Sequence, residues 1–490
     1  MSTGSRPFRL RNTLTGRVEP FSPARPREVR MYTCGLTVYA RGHIGNFRTF
    51  VAQDVLRRFL RFKGYRVVQA MNFTDVDDKT IRGANEAGLP LRQYTDRFIG
   101  QFFDDADALG IERAEHNPRA TDPRYIKAMA ALVERLLEKG IAYRADGSVY
   151  FRVAAFPAYG RLSGAGASDR IAGARVDSDE YDKEHAHDFA LWKAAKPDEP
   201  SWPASFGRGR PGWHLECSAM GLELLGSDFD LHCGGVDLVF PHHENEIAQS
   251  EAATGKPFVR HWFHCEHLLV EGRKMSKSLG NQFTVRDLLD EGFSAAAMRH
   301  LLAGVHYRQQ LNFTRAGLRQ AQVAIGRVNA FLARSDRAGG GAEAGDGTAE
   351  DAEVAGALDR FEAALDDDLN TSRALAEVFF ALKQGNRALH QQGAAGGTGA
   401  APWAAAIRRM NEVIGSFELG KETSDRAVGG ERDEQEAPSG LAPELLSRIE
   451  ERAEARRRRD FARADAIRDE LAQEGILLED GPRGTTWRRP

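Results

Sequence analysis

Four cysteines in a chain of 490 residues are too few to staple a fold, which excludes the disulfide frameworks of small secreted domains. No apolar run approaches the ~20 residues of a membrane span. The opening stretch Met1-Ser-Thr-Gly-Ser-Arg6 also lacks the apolar centre of a secretory signal. The expectation is a protein of the reducing cytoplasm with no membrane partner. Charge of one sign is missing too: 67 Lys+Arg face 70 Asp+Glu, a formal net charge of -3. Nothing chain-wide draws this protein to nucleic acid, so any RNA contact must use local basic patches. There is no fixed-period repeat, which removes solenoids and propellers. The length that remains suits about three or four domains of ~100–200 residues each.

Glu28 to Cys34 reads as a short strand, and the turn from Gly42 to Gly45 opens a helical pattern through Val51, Val55, Phe59 and Phe62. Strand, glycine turn and helix form the phosphate-binding half of a doubly wound parallel sheet. Arg66 to Asn72 reads as the next strand, followed by a helix carrying Lys79 and Ile81. In such α/β sheets ligands gather at the carboxyl ends of the strands, where Cys34 and Asn72 emerge. From Tyr125 to Pro203 a helix, a hairpin-like stretch at Ala142 to Arg152 and polar loops interrupt the pattern as an insertion. Apolar spacing from Ala295 to Phe331 and from Val354 to Leu389 predicts a helical bundle. Asp336 to Asp351 reads as a flexible loop and Gly420 to Gly440 as a polar acidic linker.

Two short segments far apart carry the strongest chemical signal. His43-Ile44-Gly45-Asn46 combines a ring donor, a side-chain amide and a glycine that lets backbone approach phosphate. Lys274-Met275-Ser276-Lys277-Ser278 adds two cations with hydroxyls between them. Reaction at the α-phosphate of ATP develops negative charge on a departing pyrophosphate, and such groups are what that charge requires. Either segment alone reads equally as a solvated loop; the ordered pair points to an ATP site. Gly234-Gly235 could admit adenosine close to backbone, with Asp237 offered to the ribose hydroxyls, although a tight turn would use the same residues. Cys34, Cys217, His242 and Glu246 form a plausible zinc set of thiolates, imidazole and carboxylate. His242 and Glu246 are four apart after Pro241 and would share a helical face. Scattered cysteines are also common as small buried hydrophobes, so the spacing leaves both readings open. Cys233, His261, His264, Cys265 and His267 look superficially like a second cluster, but their spacing along a strand would not converge them. His264 is then expected to touch nucleotide.

The paired segments resemble the HIGH and KMSKS motifs of class I aminoacyl-tRNA synthetases, with Asn46 in place of the second histidine. Asn keeps a donor for phosphate but has no cationic form. Met31 to Tyr39, Asn72 to Lys79, Pro211 to Met220 and Phe240 to Gln249 further resemble the cysteinyl-tRNA synthetase family. The similarity runs from about the first strand to the C-terminus, apart from the two low-complexity gaps. It implies an α/β doubly wound, Rossmann-like catalytic domain with an insertion, then a helical bundle and a small C-terminal anticodon-binding domain. The expected boundaries are 24–124 and 205–265 for the catalytic halves, 125–204 for the insertion and 266–318 for the KMSKS region. The bundle would span 319–419, the linker 420–440 and the last domain 441–490.

The resemblance also implies roles. His43, Asn46, Lys274 and Lys277 would act in catalysis, and Gly45, Gly234, Gly235, Asp237 and Lys277 would hold ATP, with Mg²⁺ on its phosphates. Cys34, Cys217, His242 and Glu246 would bind one Zn²⁺ that takes the thiolate of substrate cysteine. Trp213 would wall the pocket, with His214, His232 and His243 lining its base. Four protein ligands leave no open position on zinc, so the substrate would add a fifth or displace one. At the C-terminus, the helical stretch Ile449 to Leu471 with Arg456, followed by Asp480 and Trp487, supplies the cation, base-edge partner and stacking surface that single-stranded RNA requires. The expected activity is ligation of L-cysteine to cysteine tRNA through an adenylate, by a monomer. Two rivals are an ATP-dependent ligase joining cysteine to an amino sugar and a non-catalytic RNA-binding relative. Glu246 and the long C-terminal extension weigh against the first, and the intact lysines of the Lys274 loop against the second.

Overall fold

The computed structural model describes residues 6–164, 188–275, 279–338, 352–392 and 399–419, together with 451–452, 455, 460–473, 477–481 and 484–488. Clustering of the backbone divides the chain into two compact units, Met1–Lys421 and Glu422–Pro490.

The first unit opens with an antiparallel hairpin, β1 (Arg9–Asn12) and β2 (Arg17–Pro20). β3 (Glu28–Thr33) follows and is buried at every residue after Glu28, as a parallel strand covered on both faces must be. Then come α1 (Ile44–Phe62), β4 (Arg66–Met71), α2 (Asp78–Glu86), α3 (Leu91–Ala108) and α4 (Pro123–Glu138). A separate antiparallel sheet is built from β5 (Ala142–Ala145), β6 (Ser148–Phe151), β7 (Phe189–Ala194) and β8 (Gly209–Pro211), in that order. Its closing strand lies beyond residue 204, where the sequence pattern alone ends the insertion.

The chain then returns through α5 (Trp213–Leu225), β9 (Phe229–Gly235), α6 (Glu244–Thr254) and β10 (Val259–Cys265). The central sheet has the order β10-β9-β3-β4 and every pairing in it is parallel. One hydrophobic core joins Val29 and Met31 to Val51, Val55 and Phe59 of α1 and Phe102 of α3. A second joins Tyr32 and Ala70 to Met129 of α4, Leu215 of α5 and Ile247 of α6. Strand order reverses between β3 and β9, so their carboxyl ends, Cys34-Gly35 and Gly234-Gly235, border the crevice where such sheets bind ligands.

β11 (Leu268–Val270) and β12 (Arg273–Lys274) precede α7 (Val285–Asp290), α8 (Ala295–Gly304), β13 (Leu311–Phe313) and α9 (Arg315–Ala338). The apolar run from Ala295 to Phe331 is therefore not continuously helical. Leu311 and Phe313 point inward and Asn312 outward, a period of two that lets three residues pair in parallel with β11. α10 (Ala352–Asp366), α11 (Thr371–Gln392) and α12 (Ala401–Ile414) complete the unit. Buried Arg299 of α8 donates to the carbonyls of Ile414 (2.7 Å) and Leu109 (3.1 Å) and pairs with Asp54 of α1, which ties the helices to the catalytic core.

In the second unit, α13 (Phe461–Gln473) starts after Asp460, whose carboxylate accepts from the Arg463 backbone N–H at 3.1 Å. β14 (Leu477–Gly481) and β15 (Gly484–Arg488) form an antiparallel pair. Among the described residues no helix is long and apolar enough to cross a membrane.

Candidate active site and metal centre

Cys34 leaves the end of β3, and Gly35 follows it because a side chain there would overlap the Asn72 carbonyl oxygen. The Gly35 N–H donates to Asn72 Oδ1 at 3.0 Å, and the same oxygen lies 3.7 Å from Cys217 Sγ. Asn72 thus touches both cysteine-bearing segments. Cys217 sits in the second turn of α5, and its sulfur is 3.7 Å from that of Cys34. Helix α6 begins at Glu244, later than Pro241 suggests, yet the four-residue spacing still brings His242 Nε2 within 3.0 Å of Glu246 Oε1. Glu246 Oε1 is 3.8 Å from Cys34 Sγ, and its other oxygen is 2.8 Å from His232 Nε2.

A tetrahedral zinc with Zn–S near 2.3 Å requires about 3.8 Å between two sulfurs, and Zn–N and Zn–O near 2.0–2.2 Å require about 3.4 Å between nitrogen and oxygen. The observed 3.7 Å between the sulfurs fits that demand, while His242 Nε2 and Glu246 Oε1, at 3.0 Å, are in hydrogen-bond contact and would have to part slightly to share an ion; all four residues are more than nine-tenths buried. His243 stands close to the same point. Donor atoms of Cys34, His242, His243 and Glu246 lie within 4.8 Å of one another. Cys217 is not one of those four; its sulfur, 3.7 Å from that of Cys34, makes it the rival of His243 for the fourth place.

The electrostatics suit a cation. Burial pushes the Cys34 thiol well up, with the Cys217 sulfur and the Glu246 charge pushing the same way. Burial also opposes ionisation of Cys217, but hydrogen bonding to Cys34 and His242 outweighs it and brings that thiol to about 6. Burial opposes charge on Glu246 as well, yet His232 and His242 hold its carboxyl at about 2; His242, despite burial, is raised to about 10 by Glu246 and Cys217. His214 and His243 are pushed well below the usual imidazole range, chiefly by burial.

The walls are aromatic. Trp213, at the start of α5 and 36% exposed, stacks on the His242 ring with centroids 4.2 Å apart. His214 Nδ1 is 3.0 Å from His242 Nδ1, and His232 stacks on Trp262 at 4.6 Å. His264, expected to touch nucleotide, has both ring nitrogens in contact with other side chains, Nδ1 lying 2.7 Å from Thr13 Oγ1. Its Nε2 is 2.7 Å from His243 Nδ1, because parallel pairing sets His264 beside Gly234, where a side chain would crowd the His243 ring. Gly234 thus makes room for His243, and Asp237 follows in an exposed turn near Gly235. Sequence reasoning put Asn72 at the ligand end of its strand without giving it a role, and passed over Glu216, which is fully buried with its carboxyl pushed well up by burial and accepts from Thr74 Oγ1 at 2.6 Å. Both lie in segments that carry the family resemblance, which was the available signal.

The ATP side starts at the N-terminus of α1. The Asn46 backbone N–H donates to His43 Nδ1 at 3.2 Å, while Asn46 Oδ1 accepts from the His43 N–H at 3.0 Å. This reciprocal cap makes Nδ1 an acceptor, so the neutral His43 ring carries its hydrogen on Nε2. Asn46 therefore has a helix-capping duty, and its amide nitrogen takes no part in the cap. Replacing Asn46 by Ala should lower stability by about 1 kcal/mol, read as a shift in the denaturant midpoint; Asn46→Asp keeps the acceptor and should not show it. Equal loss in both variants would contradict the cap.

The Ile44 N–H donates to the Phe283 carbonyl at 2.8 Å, and a side chain at Gly45 would meet Met275 Cε at 2.7 Å. The two motifs therefore meet across Gly45. Lys274 is exposed on β12, and its carbonyl accepts from Asn281 Nδ2 at 3.2 Å. Lys277, Ser276 and Ser278 lie outside the described residues, as does Arg456. The backbones of Asp480 and Trp487 lie in β14 and β15, paired with Thr485 and Leu478.

Comparison with known proteins follows the same division. Residues 20–323 match the family of class I (C) tRNA synthetase catalytic domains, 360–418 the DALR domain, and 439–488 the cysteinyl-tRNA ligase anticodon binding domain. The cysteine–tRNA ligase of Alkalilimnicola ehrlichii is 49% identical over 483 residues, covering 98% of this chain and 99% of its own. That of Solibacter usitatus is 46% identical over 487 residues with the same coverage. Among solved structures, Mycobacterium tuberculosis methionyl-tRNA synthetase in complex with methionyl-adenylate aligns with a TM-score of 0.58 at 17% identity, over 85% of this chain and 100% of that one. The Agrobacterium radiobacter LeuRS in its ternary complex aligns with a TM-score of 0.58 at 13% identity, over 84% and 86%. These structural likenesses concern the fold.

Proposed function

The chain belongs to the cysteine–tRNA ligase family and is an aminoacyl-tRNA synthetase that joins L-cysteine to its tRNA using ATP; on that premise we propose how its residues divide the work. The matches extend through residue 488, which leaves neither an amino-sugar ligase nor a non-catalytic relative a feature of its own to stand on.

The observation that carries the proposal is the convergence of two sulfurs, an imidazole and a carboxylate at the switch point of the sheet. Cys34, Cys217, His242 and Glu246 would hold a zinc ion. Bound there, zinc supplies a soft centre that takes a thiolate in preference to an alcohol and lowers the pKa of the incoming thiol. Serine differs from cysteine only by oxygen for sulfur, and a pocket that judges size would separate them by perhaps ~1–3 kcal/mol. Trp213 over His242 closes one side of the pocket, and His232 fixes the carboxylate of Glu246 through its second oxygen. Asn72 Oδ1, accepting from the Gly35 N–H, fixes the turn that follows Cys34.

For adenylate formation, the substrate carboxylate attacks the α-phosphorus of ATP and pyrophosphate leaves, with Mg²⁺ travelling on the phosphates. His43 Nε2–H and the amide of Asn46 face phosphate from the α1 terminus, and Gly45 keeps the approach open. Lys274 and Lys277 meet the charge growing on pyrophosphate. Gly235 and Asp237 lie toward adenosine, with Asp237 for the ribose hydroxyls; His214 and His243 line the cysteine pocket. A terminal tRNA hydroxyl then attacks the acyl carbon and AMP leaves. No covalent enzyme intermediate is required. Arg456, Asp480 and Trp487 are proposed to contact the anticodon. A reducing cytoplasm, which keeps Cys34 and Cys217 as thiols, and a monomeric chain complete the proposal.

One zinc per chain, with cysteine-dependent ATP–pyrophosphate exchange that a chelator abolishes and zinc restores, is the expected result; full exchange by metal-free protein would reject the zinc assignment. Deleting residues 441–490 should leave exchange within about twofold and lower tRNA charging by at least roughly tenfold. Equal loss of both activities would assign that segment to folding instead.

A further inference from the structure

A line of short contacts leaves the cysteine pocket and ends on the N-terminal hairpin. His243 Nε2 is 3.3 Å from Cys34 Sγ, His243 Nδ1 is 2.7 Å from His264 Nε2, and His264 Nδ1 is 2.7 Å from Thr13 Oγ1. Thr13 follows β1 directly, and 251 residues separate it from His264. Main-chain contacts fix its place: the Thr13 N–H donates to the Trp262 carbonyl at 2.9 Å, and Asn12 Oδ1 accepts from the Trp262 N–H at 3.1 Å. The Thr13 backbone is therefore anchored at Trp262, two residues before His264, which its hydroxyl reaches.

Both imidazoles are deeply buried, His243 fully and His264 at 5% exposure. A neutral imidazole has one N–H and one lone pair, so the protons on this line all run one way or all the other. In the outward order, Cys34 donates S–H to His243 Nε2, His243 Nδ1–H donates to His264, and His264 Nδ1–H donates to Thr13. In the inward order, the Thr13 hydroxyl donates to His264 Nδ1, His264 Nε2–H donates to His243 Nδ1, and His243 Nε2–H donates to Cys34. A thiolate has no proton to give and accepts only the inward order.

We propose that Thr13 is a positioning residue for cysteine recognition: its hydroxyl donates to His264, orders the two imidazoles and so presents His243 Nε2–H to the Cys34 thiolate. The inference rests on the reading of Cys34 as a metal ligand. In that arrangement His243 Nε2 carries a hydrogen and has no lone pair for a metal. Cys217, not His243, then completes the set. A hydrogen bond to a ligating sulfur fixes its direction and moderates its electron donation, which sets how firmly the metal is held and how readily it accepts another thiolate.

Thr13→Val removes the hydroxyl and keeps the shape, while its backbone N–H contact survives; Thr13→Ser restores the hydroxyl. In chelator competition, Thr13→Val should hold zinc roughly tenfold more weakly. In ATP–pyrophosphate exchange it should raise KM for cysteine without moving KM for ATP, and Thr13→Ser should return both readouts to the parent values. ¹⁵N spectra of histidine-labelled, zinc-loaded protein should place His243 and His264 in the Nε2–H form. Nδ1–H forms, unchanged zinc retention in Thr13→Val, or an equal rise in KM for ATP and cysteine would each overturn the inference. Cys34→Ser separates the two levels. If that variant retains zinc, the ligand reading fails and the inference falls with it; if it loses zinc while Thr13→Val changes nothing, the inference alone fails.

Discussion

Replacing Cys217 by Ser should release the zinc and raise KM for cysteine by roughly a hundredfold or more, since a hydroxyl is a poor substitute for a soft thiolate ligand. The geometry behind this expectation is the 3.7 Å between the Cys34 and Cys217 sulfurs, which suits two ligands of one tetrahedral ion. Activation of serine, measured in parallel, should stay near its low parent level, so the preference for cysteine over serine collapses from the cysteine side. The circular-dichroism spectrum and the melting of the helical part should change little, because Cys217 and Cys34 are the parts of the core nearest the pocket. Replacing Cys233, whose side chain packs into the other hydrophobic core from Cys34 and Cys217 and whose thiol is pushed far up by burial, should leave zinc content untouched. Zinc retained by Cys217→Ser at parental affinity would instead favour His243 as the fourth ligand.

Lys274→Ala should lower the rate of adenylate formation by about 10²–10³-fold, the usual consequence of removing one group aimed at charge that develops in the transition state. Zinc content and cysteine affinity should remain at parental values, since Lys274 is exposed on β12 and the metal donors are buried at the end of the central sheet. The connection to ATP runs through Met275, which packs over Gly45 next to His43. Pre-steady-state measurement of adenylate separates the chemical step from tRNA transfer. A fall of less than about threefold would remove Lys274 from the account. Lys277→Ala is expected to act in the same direction.

Much of the catalytic framework was legible because its signals are local. A strand, a glycine turn and an apolar helix follow one another between Glu28 and Phe62, and they form β3 and α1. The spacing of His242 and Glu246 was enough to bring their side chains together, even though α6 begins only at Glu244. Cys34 and Cys217 are different: they stand 183 positions apart, and family motifs rather than periodicity put them in one set. The contacts of His264 were not legible, for a tertiary reason. Spacing along β10 says which residues share a face, but only the parallel register with β9 shows that Gly234 opens the space in which His264 reaches His243. Thr13 carries no local signal at all, because it acts through a contact made by chain segments brought together by the sheet. β13 was absorbed into a helical pattern because three residues hold too short a stretch of alternation to outweigh the helices on either side. Asn46 gained a meaning that the motif alone did not supply: its carbonyl oxygen caps α1, and the same contact fixes the hydrogen of His43 on Nε2.

The central claim is that zinc in this pocket is held by Cys34, Cys217, His242 and Glu246 and identifies the substrate by its sulfur. X-ray absorption at the zinc edge of the loaded protein, recorded with and without L-cysteine, tests it most directly. The account predicts two sulfurs about 2.3 Å from zinc in the protein alone and three when cysteine is present, with no change on adding serine. One sulfur in the protein alone, or a sulfur count that does not rise with cysteine, would contradict it.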